Sequence, residues 1–302
     1  MKEKIGGALL NYEFYKGEDQ YSDGDIEDDI LQLLQQNNNV LDILKQDDRW
    51  PVLYHLSPVR QNIIEWYDMD ENSEVLEIGA GCGAITGALC RKVRHVTCND
   101  LSKRRSLINA TRNRAYSNLE IIVGNFNDIE LSKRFDYITL IGVLEYARYY
   151  TDSNNPFVDF LKKINGYLKD DGKLLIAIEN KYGLKYWAGA KEDHTGIMYD
   201  GLEGYVNTSS KAETFSKKKL ESIIRAAGYS NIEFYYPMPD YKFPTQIFSD
   251  YNLPKDEDVN FERVSYDNSR VYSFDENLVY RGLINEGMFG FFANSFFVEV
   301  SK

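Results

Sequence analysis

Cysteine and histidine are scarce in this chain, with three of each among 302 residues. Cys82, Cys90 and Cys98 lack the short pair that a zinc knuckle needs, so the sequence predicts no metal site. The chain opens without a signal-peptide pattern, and cysteines used this sparingly are typical of small buried side chains in a reducing compartment. We therefore expect a cytoplasmic protein.

Long apolar runs and an excess of positive charge are also missing. No run approaches the roughly 20 residues that a transmembrane helix requires. The 47 acidic residues outnumber the 35 basic ones, and a net charge of −12 repels a polyanion such as duplex nucleic acid. We expect neither a transmembrane segment nor a nucleic-acid partner.

From residue 74 onward, short apolar runs alternate with segments of helical spacing. This alternation is typical of a parallel sheet with helices on both faces. The predicted strands are Val75–Ile78, Val96–Asn99, Glu120–Val123, Phe135–Leu140, Lys173–Ile178, Ile232–Tyr236 and Phe296–Val300. The predicted helices between them are Ala84–Lys92, Lys103–Arg114, Phe157–Leu168 and Lys217–Ala227. A turn is predicted at Asp170-Asp171-Gly172.

No internal repeat or linker divides the chain. We predict one domain at residues 56–302, preceded by an N-terminal helical appendage or lid at residues 1–55. Two irregular segments predict insertions at residues 180–214 and 239–294. A connection as long as the second is usually functional or contains further elements.

A glycine-rich loop follows the first predicted strand, within Val75–Gly87. The free N–H groups between a strand and a helix favour an anionic ligand group. Gly79, Gly81 and Ala84 satisfy the dinucleotide pattern G-x-G-x-x-A, and Asp100 lies 21 residues after Gly79, where a ribose-binding acid is expected. A nicotinamide oxidoreductase is therefore one interpretation.

Three further features favour a sulfonium cofactor. Glu77, just before the first glycine, would repel a pyrophosphate but attract an ammonium group. Gly83 extends the pattern to E-x-G-x-G-x-G. Asn125 and Phe126 offer an amide and an aromatic ring to an adenine.

With Phe135-Asp136 and Val143-Leu144-Glu145, these motifs resemble class I S-adenosylmethionine-dependent methyltransferases over residues 59–236. The resemblance implies a Rossmann-like, seven-stranded, mostly parallel sheet with an antiparallel last strand, and S-adenosylmethionine as the cofactor. It also implies that Asp100 accepts both ribose hydroxyls. The implied cofactor-binding residues are Glu77, Gly79, Ala80, Gly81, Gly83, Asp100, Leu101, Asn125 and Phe126.

The acceptor side of the site is predicted later in the chain. Residues 178–196, 55–60 and 236–241 resemble a methyltransferase subgroup associated with bacterial surface-polysaccharide and other glycosylation clusters. Aromatic faces mixed with hydrogen-bonding groups suit a carbohydrate, so we expect a sugar or another small hydroxylated acceptor. The predicted acceptor-binding residues are Asn180, Lys181, Tyr182, Lys185, Tyr186, Trp187 and Tyr199.

His194 is the predicted general base for O-methylation by in-line transfer, with Glu192 or Asp193 as its neighbour. Glu145 and Tyr146 complete the predicted catalytic set, since the family places acceptor-facing residues after the fourth strand. Three alternatives remain at this point. They are an NAD(P)-dependent oxidoreductase, a non-catalytic S-adenosylmethionine-binding relative, and a protein or nucleic-acid methyltransferase.

Overall fold

The structure is a computed structural model that divides into two compact units. The first unit consists of Met1–Leu140 and Tyr167–Lys173, and the second of Ile141–Gly166 and Leu174–Lys302. The described residues are 1–19, 22–37, 39–262, 270 and 272–302. Parts of the predicted N-terminal appendage (20, 21 and 38) and of the predicted late insertion (263–269 and 271) therefore lie outside the described residues.

The first unit is built on parallel strands in the order β1-β2-β5-β4-β3-β6. Its strands are β1 (Lys2–Ile5), β2 (Ala8–Phe14), β3 (Glu74–Ile78), β4 (His95–Asp100), β5 (Leu119–Gly124) and β6 (Phe135–Ile141). Every neighbouring pair from β2 to β6 is parallel, and only the β1–β2 hairpin is antiparallel. Consecutive residues such as Val75 and Leu76 are fully buried, as expected of strands covered on both faces. The Rossmann-like arrangement is confirmed.

The helices of the first unit include an N-terminal group that packs beside the glycine loop. They are α1 (Ile26–Gln36), α2 (Val40–Gln46), α3 (Trp50–Leu56), α4 (Asn62–Glu65), α5 (Thr86–Lys92) and α6 (Lys103–Arg112). Ile30, Ile43 and Val52 from the first three helices form one apolar cluster with Cys82 of the glycine loop and Ile108 of α6. The N-terminal helices thus pack against both the glycine loop and α6.

The second unit contains the later helices and a set of antiparallel strands. Its helices are α7 (Ala147–Tyr150), α8 (Pro156–Tyr167), α9 (Leu184–Trp187), α10 (Lys217–Ala226), α11 (Glu276–Asn285) and α12 (Phe289–Phe292). Its strands are β8 (Asn231–Met238), β9 (Gln246–Ser249), β10 (Ser295–Ser301) and the part of β7 (Leu168–Glu179) from Leu174 onward, since Leu168–Lys173 belong to the first unit. The last strand, β10, is antiparallel to both β7 and β8, as predicted. None of the helices in the described residues is long and apolar enough to cross a membrane.

The predicted number of seven strands is wrong, because the described residues contain ten. β9, α11 and α12 fill the segment predicted as the late insertion. The start of the predicted helical appendage forms the strands β1 and β2 instead of helix. Gly6 turns the chain between them at a φ of 59°. β2 then pairs with β5 across more than 100 residues, a contact that no local pattern indicates.

The turn predicted at Asp170-Asp171-Gly172 is also wrong, since these residues lie inside β7. Lys169 forms an ion pair of 2.8 Å with Asp136. A Cβ atom on Gly172 would lie 2.9 Å from the Asp136 carbonyl oxygen. Glycine is therefore needed here for a close backbone approach within an extended segment, not for a turn.

Candidate functional site

The glycine loop leaves β3 through three residues in the left-handed backbone region. Gly79, Gly81 and Gly83 have φ values of 70°, 54° and 74°. The N–H groups of Gly79 and Ala80 both donate to the carbonyl oxygen of Asn99, at 2.8 and 3.0 Å. Side chains rarely tolerate this backbone conformation, so the loop needs glycine at these positions.

Gly81 and Gly83 face different surroundings. In the described structure, a Cβ atom on Gly81 would meet no heavy atom within 4 Å. On Gly83 it would lie 2.3 Å from Asn109 Oδ1. Gly81 therefore leaves room beside the loop for a ligand, while Gly83 allows the loop to pack against α6.

Glu77 is buried near the end of β3, with 5% of its surface exposed. Its Oε2 accepts hydrogen bonds from Thr86 Oγ1 at 2.6 Å and from the Cys98 thiol at 3.1 Å. Burial disfavours the charged carboxylate and raises the pKa of Glu77 to about 7. A positively charged ligand group beside Glu77 would favour the charged carboxylate, and hence loss of the proton from the Glu77 carboxyl group.

Asp100 ends β4 beside the glycine loop and is 9% exposed. Its carboxylate accepts from the Gly81 N–H at 2.8 Å through Oδ2 and from the Ser102 N–H at 2.9 Å through Oδ1. Burial raises the pKa of Asp100. Each carboxylate oxygen can still accept a second hydrogen bond, which suits a pair of neighbouring hydroxyls. The adjacent Leu101 is half-buried.

Asn125 and Phe126 follow β5, as predicted, but their side chains already have protein partners. Asn125 Oδ1 accepts from the Asn127 N–H at 2.9 Å and caps a short 3-10 helix. The Phe126 ring is 4% exposed and meets the Tyr167 ring edge-on at 5.8 Å. Phe126 thus contributes to the core of the first unit, while Asn125 is half-buried.

The predicted catalytic residues of the second unit lie close together. His194 Nδ1 is 3.0 Å from Glu192 Oε1, which orients the imidazole ring. His194 Nε2 is 3.7 Å from Glu145 Oε1 and 3.9 Å from Glu179 Oε2. The Tyr146 ring meets the imidazole edge-on at 5.3 Å. We call Glu145, Glu179, Glu192 and His194 the histidine cluster.

The pKa values of His194, Glu145 and Glu179 in this cluster are shifted from their ordinary values. Burial opposes the charge of His194, but Glu179, Glu145 and Glu192 outweigh it and raise the pKa of His194 well above its ordinary value. Burial raises the pKa of Glu145. Burial acts in the same direction on Glu179, but Lys242 and His194 outweigh it and lower the pKa of Glu179. His194 therefore carries a proton at neutral pH, unlike an ordinary histidine.

A network of ion pairs continues from the histidine cluster. Lys242 Nζ lies 2.7 Å from Glu179 Oε1 and 2.5 Å from Asp193 Oδ1. Lys185 Nζ lies 2.8 Å from Asp193 Oδ2 and 3.6 Å from Asp240 Oδ2. Asp193 therefore pairs with two lysines, and Glu192 is the neighbour that contacts His194.

The predicted acceptor-binding residues separate into buried and exposed groups. Buried Asn180 donates to the carbonyl oxygens of Phe291 and Ala293, both at 2.7 Å, so its amide supports the backbone. Tyr186 is buried and donates to Asp193, which also binds buried Lys185.

The other four predicted acceptor-binding residues are more accessible. Tyr182 stacks on Phe291 at 5.4 Å, and Lys181 lies over the Tyr205 ring at 5.4 Å. Trp187 and Tyr199 are 46% and 39% exposed. These four side chains could still contact a ligand.

Sequence reasoning missed Glu179, Tyr241 and Lys242 as members of the site. Tyr241 Oη donates to Glu179 Oε1 at 3.2 Å. The signal available for Glu179 was its place at the carboxyl end of a predicted strand, where sheet ligands bind. Lys242 lies in a segment without periodicity, so only the tertiary structure brings it to Glu179.

The comparisons with known proteins match the part of the chain that contains the glycine loop. Residues 76–174 match the family model described as a methyltransferase domain. An uncharacterized methyltransferase of Staphylococcus carnosus is 39% identical over 103 residues, which cover 34% of this chain and 45% of that protein. A ubiquinone biosynthesis O-methyltransferase of Coxiella burnetii is 30% identical over 133 residues, covering 43% of this chain and 53% of the relative. The chain thus spans about half the length of these relatives.

A solved structure from Thermotoga maritima, described as an S-adenosylmethionine-dependent methyltransferase and a possible histamine N-methyltransferase, is 14% identical. The match covers 90% of this chain and 99% of that one, with a TM-score of 0.48.

Residues 76–174 are therefore similar to a methyltransferase domain. The predictions of a methyltransferase and of S-adenosylmethionine as its cofactor are confirmed at the level of this domain, and the nicotinamide alternative is not favoured. The individual cofactor contacts stay predictions, although Glu77, Gly81 and Asp100 fit that cofactor. The absence of a nucleic-acid partner also stays a prediction, because ribosomal RNA methyltransferases are among the similar proteins.

Proposed function

We propose that this protein transfers a methyl group from S-adenosylmethionine to a hydroxyl oxygen of a sugar or another small acceptor. The observation that carries this proposal is the histidine cluster, in which Glu192 orients His194 and two further glutamates face Nε2. A buried group of proton acceptors suits an acceptor that must lose a proton. The resemblance to the glycosylation-associated subgroup supports a sugar.

S-adenosylmethionine supplies the methyl group when bound. Glu77, Gly81 and Asp100 would hold it, its S–CH₃ bond would be exchanged for an O–CH₃ bond with S-adenosylhomocysteine as the leaving group, and the histidine cluster would receive the hydroxyl proton. Glu145 is better suited to receive it than the predicted base His194, which is already protonated at neutral pH. In this proposal His194 positions the acceptor hydroxyl, and Tyr146 packs against its ring.

The test is mass spectrometry after incubation with S-adenosylmethionine and panels of nucleotide sugars, lipid-linked sugars and cell extract. We expect one hydroxylated compound to gain the mass of a single methylene. Glu145→Gln and His194→Ala should lower turnover while affinity for S-adenosylhomocysteine stays unchanged. Equal turnover by the two variants and the parent protein would contradict the assignment, and cofactor binding without any product would indicate a non-catalytic relative.

A second candidate is methylation of an amine. The buried acidic groups of Glu145, Glu179 and Glu192 surround His194, and such a group of acids would also attract an ammonium group. Methylation of amines but not of hydroxyl compounds in the same panels would favour this candidate.

The proposed location is the cytoplasm. Cys82, Cys90 and Cys98 are all buried and free, as expected in a reducing compartment.

A further inference from the structure

Three side chains of the histidine cluster converge on one point. One ligand atom each from Glu145, Glu179 and His194 lies within 4.8 Å of the other two. Glu145 and Glu179 are 1% and 0% exposed, and the His194 side chain is 6% exposed. Three donor atoms this close can share one central ion after small rotations of their side chains.

Two of the converging carboxylates have spare acceptor atoms. Glu145 Oε2 and Glu179 Oε2 are buried and have no hydrogen-bond partner in the described part of the chain. The other oxygen of Glu179 is held by Lys242 and Tyr241, so Oε2 is the atom directed at His194. A buried carboxyl oxygen without a hydrogen-bond partner is costly, and a cation bound between these atoms would remove that cost.

The second nitrogen of His194 is arranged as in many metal sites. Nδ1 is 3.0 Å from Glu192 Oε1, which leaves Nε2 directed at the two glutamates. Glu192 is itself held by the backbone N–H groups of His194 and Thr195, at 2.7 and 2.8 Å. A carboxylate that fixes the free nitrogen of a histidine is the usual outer support of a histidine ligand.

Charge balance also favours a dication. Among the residues that the structure describes, the ion pairs of the acidic groups Glu145, Glu179, Glu192, Asp193 and Asp240 involve two lysines, Lys185 and Lys242. These five acidic groups outnumber the two ammonium groups by three, which favours a further cation among them.

We propose that Glu145, Glu179 and His194 bind a divalent transition-metal ion, with Glu192 as the positioning residue of His194. Imidazole together with carboxylates selects Zn²⁺, Mn²⁺ or Fe²⁺ over Mg²⁺ and Ca²⁺, which prefer oxygen donors alone. Such an ion would also lower the pKa of a bound hydroxyl. The site does not depend on the identity of the methyl acceptor. When the ion is bound, Glu145 and His194 are its ligands, so the roles in proton transfer and positioning given to them above apply to the metal-free protein.

The experiment uses the full chain, stripped with a chelator and titrated with Mn²⁺ and with Zn²⁺ in a calorimeter, with Mn²⁺ electron paramagnetic resonance as a second readout. We expect one ion per chain. Glu145→Gln and His194→Ala should abolish binding, and Glu192→Gln should weaken it by about 10- to 100-fold. His95→Gln is the matched control, because His95 belongs to β4 of the first unit, and its binding should equal that of the parent protein.

Unchanged thermal unfolding and unchanged affinity for S-adenosylhomocysteine will show that the variants are folded. Stoichiometric binding that survives His194→Ala, or no binding of either ion by the parent protein, overturns the proposal. Binding of an alkylammonium ion in place of both metals also overturns it. Failure of metal binding would leave the proposed function intact, because methyl transfer to a hydroxyl is measured separately by mass spectrometry.

Discussion

At the scale of the residue, burial affects Glu77 and Glu179 differently because their neighbours differ. Glu77 is surrounded by neutral donors, so burial raises its pKa to about 7. For Glu179, Lys242 and His194 outweigh burial and lower the pKa. Near neutral pH, Glu77 can exchange its proton on ligand binding, whereas Glu179 stays charged.

Glu77→Gln should have opposite effects on stability and on cofactor binding. The raised pKa means that Glu77 favours the folded state below the ordinary value of 4.5 and loses that advantage as pH rises through about 7. Above pH 7 the substitution should therefore stabilise the cofactor-free protein while weakening S-adenosylmethionine binding. Urea denaturation and calorimetry across this pH range will measure both effects.

Glu74→Gln is the matched control on the same strand. The hydrogen bond from Lys133 is the main cause that lowers the pKa of Glu74, so its removal should destabilise the protein at neutral pH. If Glu77→Gln is destabilising above pH 7 as well, Glu77 has a structural role only.

Asp100→Ala should weaken S-adenosylmethionine binding by about 1–3 kcal/mol, the range for loss of hydrogen bonds to a charged group. The expected reason is loss of the ribose contacts. Calorimetry with S-adenosylhomocysteine will measure the affinity, and Asp128→Ala, on the exposed residue of the 3-10 helix after β5, is the control. Unchanged affinity of Asp100→Ala would exclude the ribose assignment.

At the scale of the element, the glycine loop must both leave room for a ligand and pack against α6. Gly81 and Gly83 share a left-handed backbone, but only Gly83 lies against another side chain. The strand before the loop and the helix after it were predictable because apolar residues recur in both at regular spacing. The separate roles of the two glycines became visible only when α6 was in place.

Gly81→Ala and Gly83→Ala should separate ligand binding from folding. Both introduce left-handed strain of about 1–2 kcal/mol, and Gly83→Ala adds a collision with Asn109. Gly83→Ala should therefore lower the free energy of unfolding more, while Gly81→Ala should mainly lower affinity for S-adenosylhomocysteine. Denaturant titration and calorimetry on both variants will check this, and the reverse order of the two stabilities would contradict it.

The N-terminal segment shows how tertiary contacts override local signals. Asp19 accepts from the N–H groups of Lys103 and Arg104, at 2.7 and 3.2 Å, and so satisfies the start of α6. Buried Glu27 pairs with Arg105 at 2.7 Å. From the sequence, these acidic residues are expected to be exposed to solvent in an appendage. In the structure they are partners of the basic first turn of α6.

At the scale of the whole molecule, the net charge of −12 predicts weak binding to nucleic acid. Fluorescence anisotropy with a duplex RNA should show no saturable binding at physiological salt, and lowering the salt should increase it only slightly. An affinity that rises steeply as salt falls would contradict this prediction and would favour a nucleic-acid acceptor.

The sequence alone determined the strands β3 to β6, the loop between β3 and α5, and the class of cofactor. These features depend on local periodicity and on glycines whose backbone requirement is a property of single residues. Tertiary structure decided the pairing of β2 with β5 and the meeting of Glu145, Glu179 and His194. It also decided which side chains are charged, because a pKa depends on burial and on neighbours that are distant in the chain.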